Sequence, residues 1–115
     1  MKIGAHVSTA GGISKSIARA AEIGCEAIQI FGSSPQGWAF KPIPEPEKES
    51  FRSQAADAGI DSVFLHAIYL INLGTADEAH LERGVQSLVN YMNLAAEIRA
   101  QGVVFHPGSH KGAGY

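Results

Sequence analysis

Val63-Phe64-Leu65-His66 is a short apolar run, rich in branched and aromatic residues, that ends on a histidine. Two further runs share its form, Lys2-Ile3-Gly4-Ala5-His6 and Val103-Val104-Phe105-His106. Runs of this length and composition, separated by helix-like stretches, read as strands of a parallel sheet. In α/β barrels and open sheets the working site lies beyond the carboxyl ends of the strands. Histidine is the commonest metal ligand and titrates near neutral pH. Three of the chain's five histidines at equivalent points of a repeating unit therefore point to a metal centre.

The segments between these runs complete the order strand, helix, strand, helix, strand, helix, strand. The first strand spans Lys2 to Val7. A helix follows Gly11-Gly12 with Ile13, Ile17, Ala20 and Ala21 on one face, and Gly24 stops it. The second strand, Ala27 to Phe31, leads into a long loop from Gly32 to Pro44 that holds Trp38. Long loops in compact domains are commonly functional. The second helix starts near Pro46, where proline suits the first turn and Glu45, Glu47 and Glu49 suit the positive helix end. It runs to Ala58 and stops at Gly59. The third strand, Ser62 to His66, continues into the apolar loop Ala67-Ile68-Tyr69-Leu70-Ile71-Asn72-Leu73-Gly74. Thr75-Ala76-Asp77-Glu78 has the spacing of a capping box and opens the third helix. Leu81, Val85, Leu88, Met92 and Ala95 step by four and three along one face of it. That helix ends near Ala100, and Gly102 leads into the fourth strand.

Strands and helices that alternate in this way imply right-handed crossovers and a parallel sheet. A dinucleotide-binding sheet wants a glycine fingerprint directly after its first strand. The turn here, His6-Val7-Ser8-Thr9-Ala10-Gly11-Gly12, lacks that spacing, so the fold class is an α/β (β/α) barrel of TIM type. Its three and a half βα units, in the order β1α1β2α2β3α3β4, make about half of the eight-unit barrel. Residues 1–115 are thus expected to be the amino-terminal half of one barrel domain. Such a half exposes strand edges and an inner face, so it needs either a carboxyl-terminal half or another copy of the chain.

Composition sets outer bounds. With 9 basic and 11 acidic residues among 115, the chain carries no broad cationic face, although a local nucleic-acid footprint remains compatible with it. A single cysteine, Cys25, excludes an internal disulfide and suits a reducing compartment; it reads as a small apolar side chain near the first helix. No apolar stretch approaches the ~20 residues of a membrane span, and the amino terminus lacks a signal-peptide pattern. A cytoplasmic protein without membrane contact is expected.

Gly4-Ala5-His6-Val7-Ser8 with Gly11-Gly12, then His66-Ala67-Ile68-Tyr69-Leu70-Ile71-Asn72-Leu73, then Phe105-His106-Pro107-Gly108-Ser109-His110, resemble the endonuclease IV family in order and spacing. The resemblance runs along essentially the whole chain and matches the amino-terminal part of a family member. It implies a TIM-type barrel that cuts the DNA backbone on the 5′ side of abasic sites, using a trinuclear zinc (Zn2+) cluster at the carboxyl face. His66 matches the family's first metal-binding histidine and His106 the second. The remaining ligands belong to the part of the family that this sequence does not contain, so the chain alone is expected to be inactive. Clustered divalent ions offset the charge that builds on a phosphodiester under attack and lower the pKa of a bound water.

The residues by themselves leave His66 and His106 level between ligand and core histidine; the resemblance assigns them to metal and, through it, to catalysis. His6 sits at the same depth on the first strand and suits a partner that orients the ligands or faces phosphate. In the family, the pair matching Tyr69 and Leu70 helps fill the gap in the DNA stack where the abasic nucleotide turns out. Ile71 and Leu73 are assigned to packing. Gly11-Gly12 either lets backbone amides approach a DNA phosphate or simply makes a tight turn. In the loop after the second strand, family members often place an arginine where this chain has Gln36, so one cationic DNA contact is exchanged for a neutral one. Trp38 matches a family tryptophan and is expected to pack beneath that loop. His110 is expected to fix the loop after the fourth strand or to be solvated, and His80 to lie at the surface. The competing readings are a sugar isomerase or epimerase barrel and a non-catalytic half-barrel that self-associates. Duplex DNA with abasic sites is the expected substrate.

Overall fold

The computed structural model describes residues 2–34 and 37–108. Gln36, His110 and the tail Lys111 to Tyr115 lie outside the described residues. The elements follow the expected order: β1 (Gly4–His6), α1 (Lys15–Glu22), β2 (Ala27–Phe31), α2 (Glu45–Asp57), β3 (Ser62–His66), α3 (Glu78–Ile98) and β4 (Gly102–Val104). The four strands form one parallel sheet in the order β1-β2-β3-β4. A doubly wound sheet reverses direction partway to cover both faces. Sequential order instead puts every right-handed crossover on the same side, which is how a barrel begins.

Register sorts the side chains into two faces. Ile28 pairs with Val63, and Ile30 with Leu65, and all four are buried against the helices. They meet Ile17 and Ala20 of α1, Phe51 and Ala55 of α2, and Tyr91, Leu94, Ala95 and Ile98 of α3 in one continuous core. The other face carries two rows. His6, Gln29, Phe64 and Gly102 align across the sheet, and one level higher Phe31, His66 and Val104 do the same. Phe64 and Val104 are exposed there, because nothing among the described residues covers the concave side. This is the arc of a partial barrel seen from its lumen.

Local chemistry sets the element ends. Glu45 and Pro46 open α2, and Glu45 and Glu47 fall in its first turn, where carboxylates complement the positive end of the helix. The capping box expected at Thr75–Glu78 is not the start of α3. The cap is Asp77, whose Oδ1 accepts from Ala79 N at 2.9 Å and His80 N at 3.2 Å, while Thr75 Oγ1 accepts from Asp77 N one turn earlier. An aspartate two residues on outcompetes the threonine because its carboxylate adds charge to the same hydrogen bond. The strand after α3 is also shorter than expected: β4 ends at Val104, and Phe105 and His106 follow it.

The packed face of α3 differs from the expected stripe. Gly84, Ser87, Tyr91, Leu94, Ala95 and Ile98 are buried, whereas Val85 and Met92 are exposed and Leu88 is half-buried. Two small residues and a tyrosine occupy the centre of the contact. Gly84 faces Ile71 and Leu73 of the preceding loop, which would lie in ordinary contact, 3.7 and 3.8 Å, with a Cβ at that position. Tyr91 is fully buried with its hydroxyl hydrogen-bonded to Ser33 Oγ and its ring edge-on to Phe40, so α3 grips the loop after β2. In α1, Ile13, Ile17 and Ala20 pack inward as expected, but Ala21 is exposed. Cys25 is half-buried against the core just after α1.

Candidate metal centre and DNA-facing loop

His6, Phe31 and His66 are the last residues of β1, β2 and β3, and His106 lies two residues past β4. Because the strands are parallel and their ends staggered by register, these four rings converge at the carboxyl end of the sheet. The His66 ring centroid is 5.3 Å from His106, 6.2 Å from His6 and 5.2 Å from Phe31; His6 lies 4.7 Å from Phe31. Tyr69, three residues past β3, sets its ring edge-on to both His66 and Phe31, at 5.7 and 5.6 Å. Tyr69 nevertheless remains 60% exposed, so one flank of the ring rests on the cluster and the other is open.

His66 is oriented by its own neighbour. Its Nδ1 lies 2.7 Å from the Ala67 carbonyl oxygen, which can only accept, so Nδ1 carries a proton and Nε2 is the nitrogen that offers a lone pair when the ring is neutral. The Ala67 amide in turn donates to the Val104 carbonyl at 2.9 Å, tying the start of this loop to β4. Metal-binding histidines are commonly fixed in this way through their second nitrogen. His106 is exposed and His66 half-buried. Burial, and next to it repulsion from His66, holds the His6 imidazole below its ordinary pKa of 6.5, favouring its neutral form. Among the described residues no group of three His, Cys, Asp or Glu is placed to hold a metal ion. The described part offers two adjacent imidazoles with a third beside them, chemistry suited to part of a zinc shell rather than all of it.

The remaining expected residues sort by their contacts. Leu70 is half-buried and packs on the core while Tyr69 points outward, so the two are not equivalent. Ile68 and Ile71 are buried and anchor the loop; Leu73 is partly exposed and held by Leu73 N donating to Pro107 O at 2.8 Å. Gly11 and Gly12 adopt φ of 90° and 131°, and Gly12 N donates to Thr9 O at 2.9 Å, forming a tight turn. The helix start that follows already holds a carboxylate: Ser14 N donates to Glu47 Oε1 at 2.9 Å. Those hydrogen bonds from Ser14 hold Glu47 below the ordinary carboxylate pKa. A phosphate approaching that helix end would meet a charge of its own sign.

Sequence reasoning missed His80. It is half-buried rather than at the surface, with Nε2 2.7 Å from the Leu70 carbonyl and its ring edge-on to Trp38 at 5.4 Å. Trp38 packs beneath its loop on the core, as expected. A histidine near the start of a helix carries no spacing signal for a contact ten residues back.

A family model described as xylose isomerase-like TIM barrel matches residues 17–115. The chain belongs to this family. Within it, the chain is 38% identical over 114 residues to a protein of Halothermothrix orenii named probable endonuclease 4, covering 99% of this chain and 41% of that protein. A probable endonuclease 4 of Chloroflexus aggregans is 35% identical over 98% of this chain and 40% of its own length. Among solved structures, endonuclease IV from Thermus thermophilus superposes with a TM-score of 0.89 at 35% identity, over 95% of this chain and 41% of that one. D-psicose 3-epimerase superposes at 0.69 with 17% identity, a likeness of fold alone. The resemblance to endonuclease IV thus holds, and the chain spans about two fifths of the length of these relatives. Among the described residues no helix is long and apolar enough to cross a membrane.

Proposed function

We propose that this chain is the amino-terminal half of a zinc-dependent DNA repair endonuclease, cytoplasmic in location, that cuts the phosphodiester on the 5′ side of abasic sites. The observation that carries the reading is the His66 ring, with Nδ1 committed to Ala67 O, beside His106 and beneath the flank of Tyr69 that rests on the cluster. His66 and His106 would each give an imidazole nitrogen to zinc, and His6, neutral and packed on Phe31, would keep the pocket wall in place. Bound zinc would offset phosphodiester charge and make hydroxide available at neutral pH. Tyr69 would stand where a base is missing, its lower edge braced by Phe31. Two imidazoles do not complete a cluster, so activity belongs to the full-length protein in which this chain is joined to the rest of the barrel.

The test is single-turnover cleavage of a duplex with one abasic site by the full-length protein. Parent protein should cut on the 5′ side and stop on chelation of metal. His106→Ala should lower the cleavage rate with little change in duplex binding, because charge that develops in the transition state is what the metal stabilises. Cleavage by His106→Ala at the parent rate would remove His106 from the metal assignment. Isomerisation of a free sugar without cleavage of DNA would replace the reading with that of a sugar isomerase or epimerase.

A further inference from the structure

We infer that His80 is a positioning residue for Tyr69, and that it couples the two loops flanking the proposed DNA site; the inference rests on the abasic-site reading above. The local reasons begin with the helix start. Asp77 accepts from the amides of Ala79 and His80, so the His80 backbone is fixed in the first turn of α3. From there its side chain reaches back to the loop after β3. The Leu70 carbonyl can only accept, so Nε2 of His80 carries the proton of that 2.7 Å hydrogen bond. Leu70 directly follows Tyr69. With Ile68 and Ile71 buried on either side, the carbonyl of Leu70 is the polar tether of the exposed turn that presents the tyrosine.

The same imidazole meets the second loop. Its ring stands nearly perpendicular to Trp38, at an interplanar angle of 86°, and Trp38 sits in the segment between β2 and α2. One side chain thus touches the loop after β2 and the loop after β3. It does so without belonging to the cluster, whose ring contacts involve His6, Phe31, His66, Tyr69 and His106. A stacking residue gains more affinity when it is held in the bound geometry beforehand, because a mobile ring loses part of the benefit to ordering. His80 supplies that restraint to Tyr69.

The experiment uses the full-length protein and three variants, His80→Leu, His80→Phe and His80→Gln. Affinity is measured for an intact duplex and for one bearing a tetrahydrofuran abasic analogue with a non-hydrolysable 5′ linkage. Leucine removes both contacts, phenylalanine keeps a ring against Trp38 without the donor, and glutamine restores an N–H donor. Loss of the donor in His80→Phe should reduce the preference for abasic over intact duplex by about tenfold, the worth of one hydrogen bond to a fixed partner. His80→Gln should recover most of that preference. The emission that a Trp38→Phe background removes isolates Trp38 in the full-length protein, reports the loop contact without DNA, and should shift in His80→Leu but less in His80→Phe. If His80→Leu does not fold, His80→Phe and His80→Gln decide alone. A His80→Phe protein that keeps the full parent preference overturns the inference and leaves the abasic-site reading standing. Equal weakening of both duplexes without rescue by glutamine overturns it too, since that is how a merely structural residue behaves. A parent that binds both duplexes alike defeats the abasic-site reading itself, and this inference with it.

Discussion

At the scale of single residues, the chemistry turns on which nitrogen of His66 holds its proton. The Ala67 carbonyl settles that at Nδ1, and the lone pair left on Nε2 is what a borderline cation would take. His106 beside it supplies a second imidazole, and the two together should bind zinc weakly in this chain alone. Titration with zinc should give an affinity that His66→Ala and His106→Ala each weaken on the order of tenfold or more. Equal uptake by the double variant and the parent would take both out of the metal assignment. Tyr69 answers to a different measurement. Its ring is braced from below by Phe31 and His66 and open above, so truncation removes a platform and leaves the imidazoles in place. In the full-length protein Tyr69→Ala should weaken binding to abasic duplex by about 1–3 kcal/mol, the usual worth of an aromatic contact to a base. Intact duplex should bind nearly as before, because no gap opens for the ring to fill; gel-shift titration of the two duplexes compares them directly. Equal losses would return Tyr69 to packing.

Among the elements, α1 and α2 are joined by the Glu47 carboxylate, which caps the first turn of α1 through Ser14. Hydrogen bonds from Ser14 lower the folded pKa of Glu47, so this contact adds stability above the unfolded carboxylate value of 4.5 and loses it as pH falls through the lowered folded value. Melting temperature followed down from neutral pH should therefore drop below about pH 4.5, and Glu47→Gln should flatten that drop. Asp61, held low by Lys2, and Glu45, held low by Arg52, leave part of the slope in place. An unchanged slope in Glu47→Gln would show that the cap carries no net charge effect. Elements were also where sequence patterning was most and least informative. Strands announced themselves, because Ile28, Ile30, Val63 and Leu65 must be apolar to face three helices, and parallel register then brought His6, His66 and His106 to one end. The packed face of α3 did not, because its centre is Gly84, Ser87 and Tyr91. Hydrophobic periodicity gives no weight to a small residue such as Gly84 that lies beside Ile71, or to a tyrosine whose hydroxyl bonds Ser33. The His80 contact was invisible for a related reason: it joins a helix to two loops, and loops carry no period.

Over the whole molecule, the unexplained surface is apolar and lies on two sides. Phe64 and Val104 line the concave face, and α3 exposes Val85, Val89 and Met92 at 50, 45 and 57%. At about 100° per residue these three cluster on one flank of α3, roughly a quarter-turn around the helix from Asn90, Asn93 and Glu97, which border α2. The two sides of α3 thus differ in what they meet: Lys48 of α2 pairs with Glu97, and Arg52 of α2 donates to the Glu97 carbonyl at 2.7 Å, whereas the valine and methionine flank meets solvent among the described residues. Strand edges at β1 and β4 add unpaired backbone groups, which recruit further strands when left open. In a closed barrel the same surfaces face more strands and helices. A chain of these 115 residues alone should therefore self-associate. Light scattering over a concentration series should report a mass that rises with concentration. Met92→Glu with Val85→Lys should shift the distribution toward monomer while circular dichroism keeps the helix signal, since neither side chain contributes to the core. A well-folded parent chain that stays monomeric at high concentration would mean that the open flank and edges tolerate water, and the tendency to associate would fail as a consequence of the half-barrel.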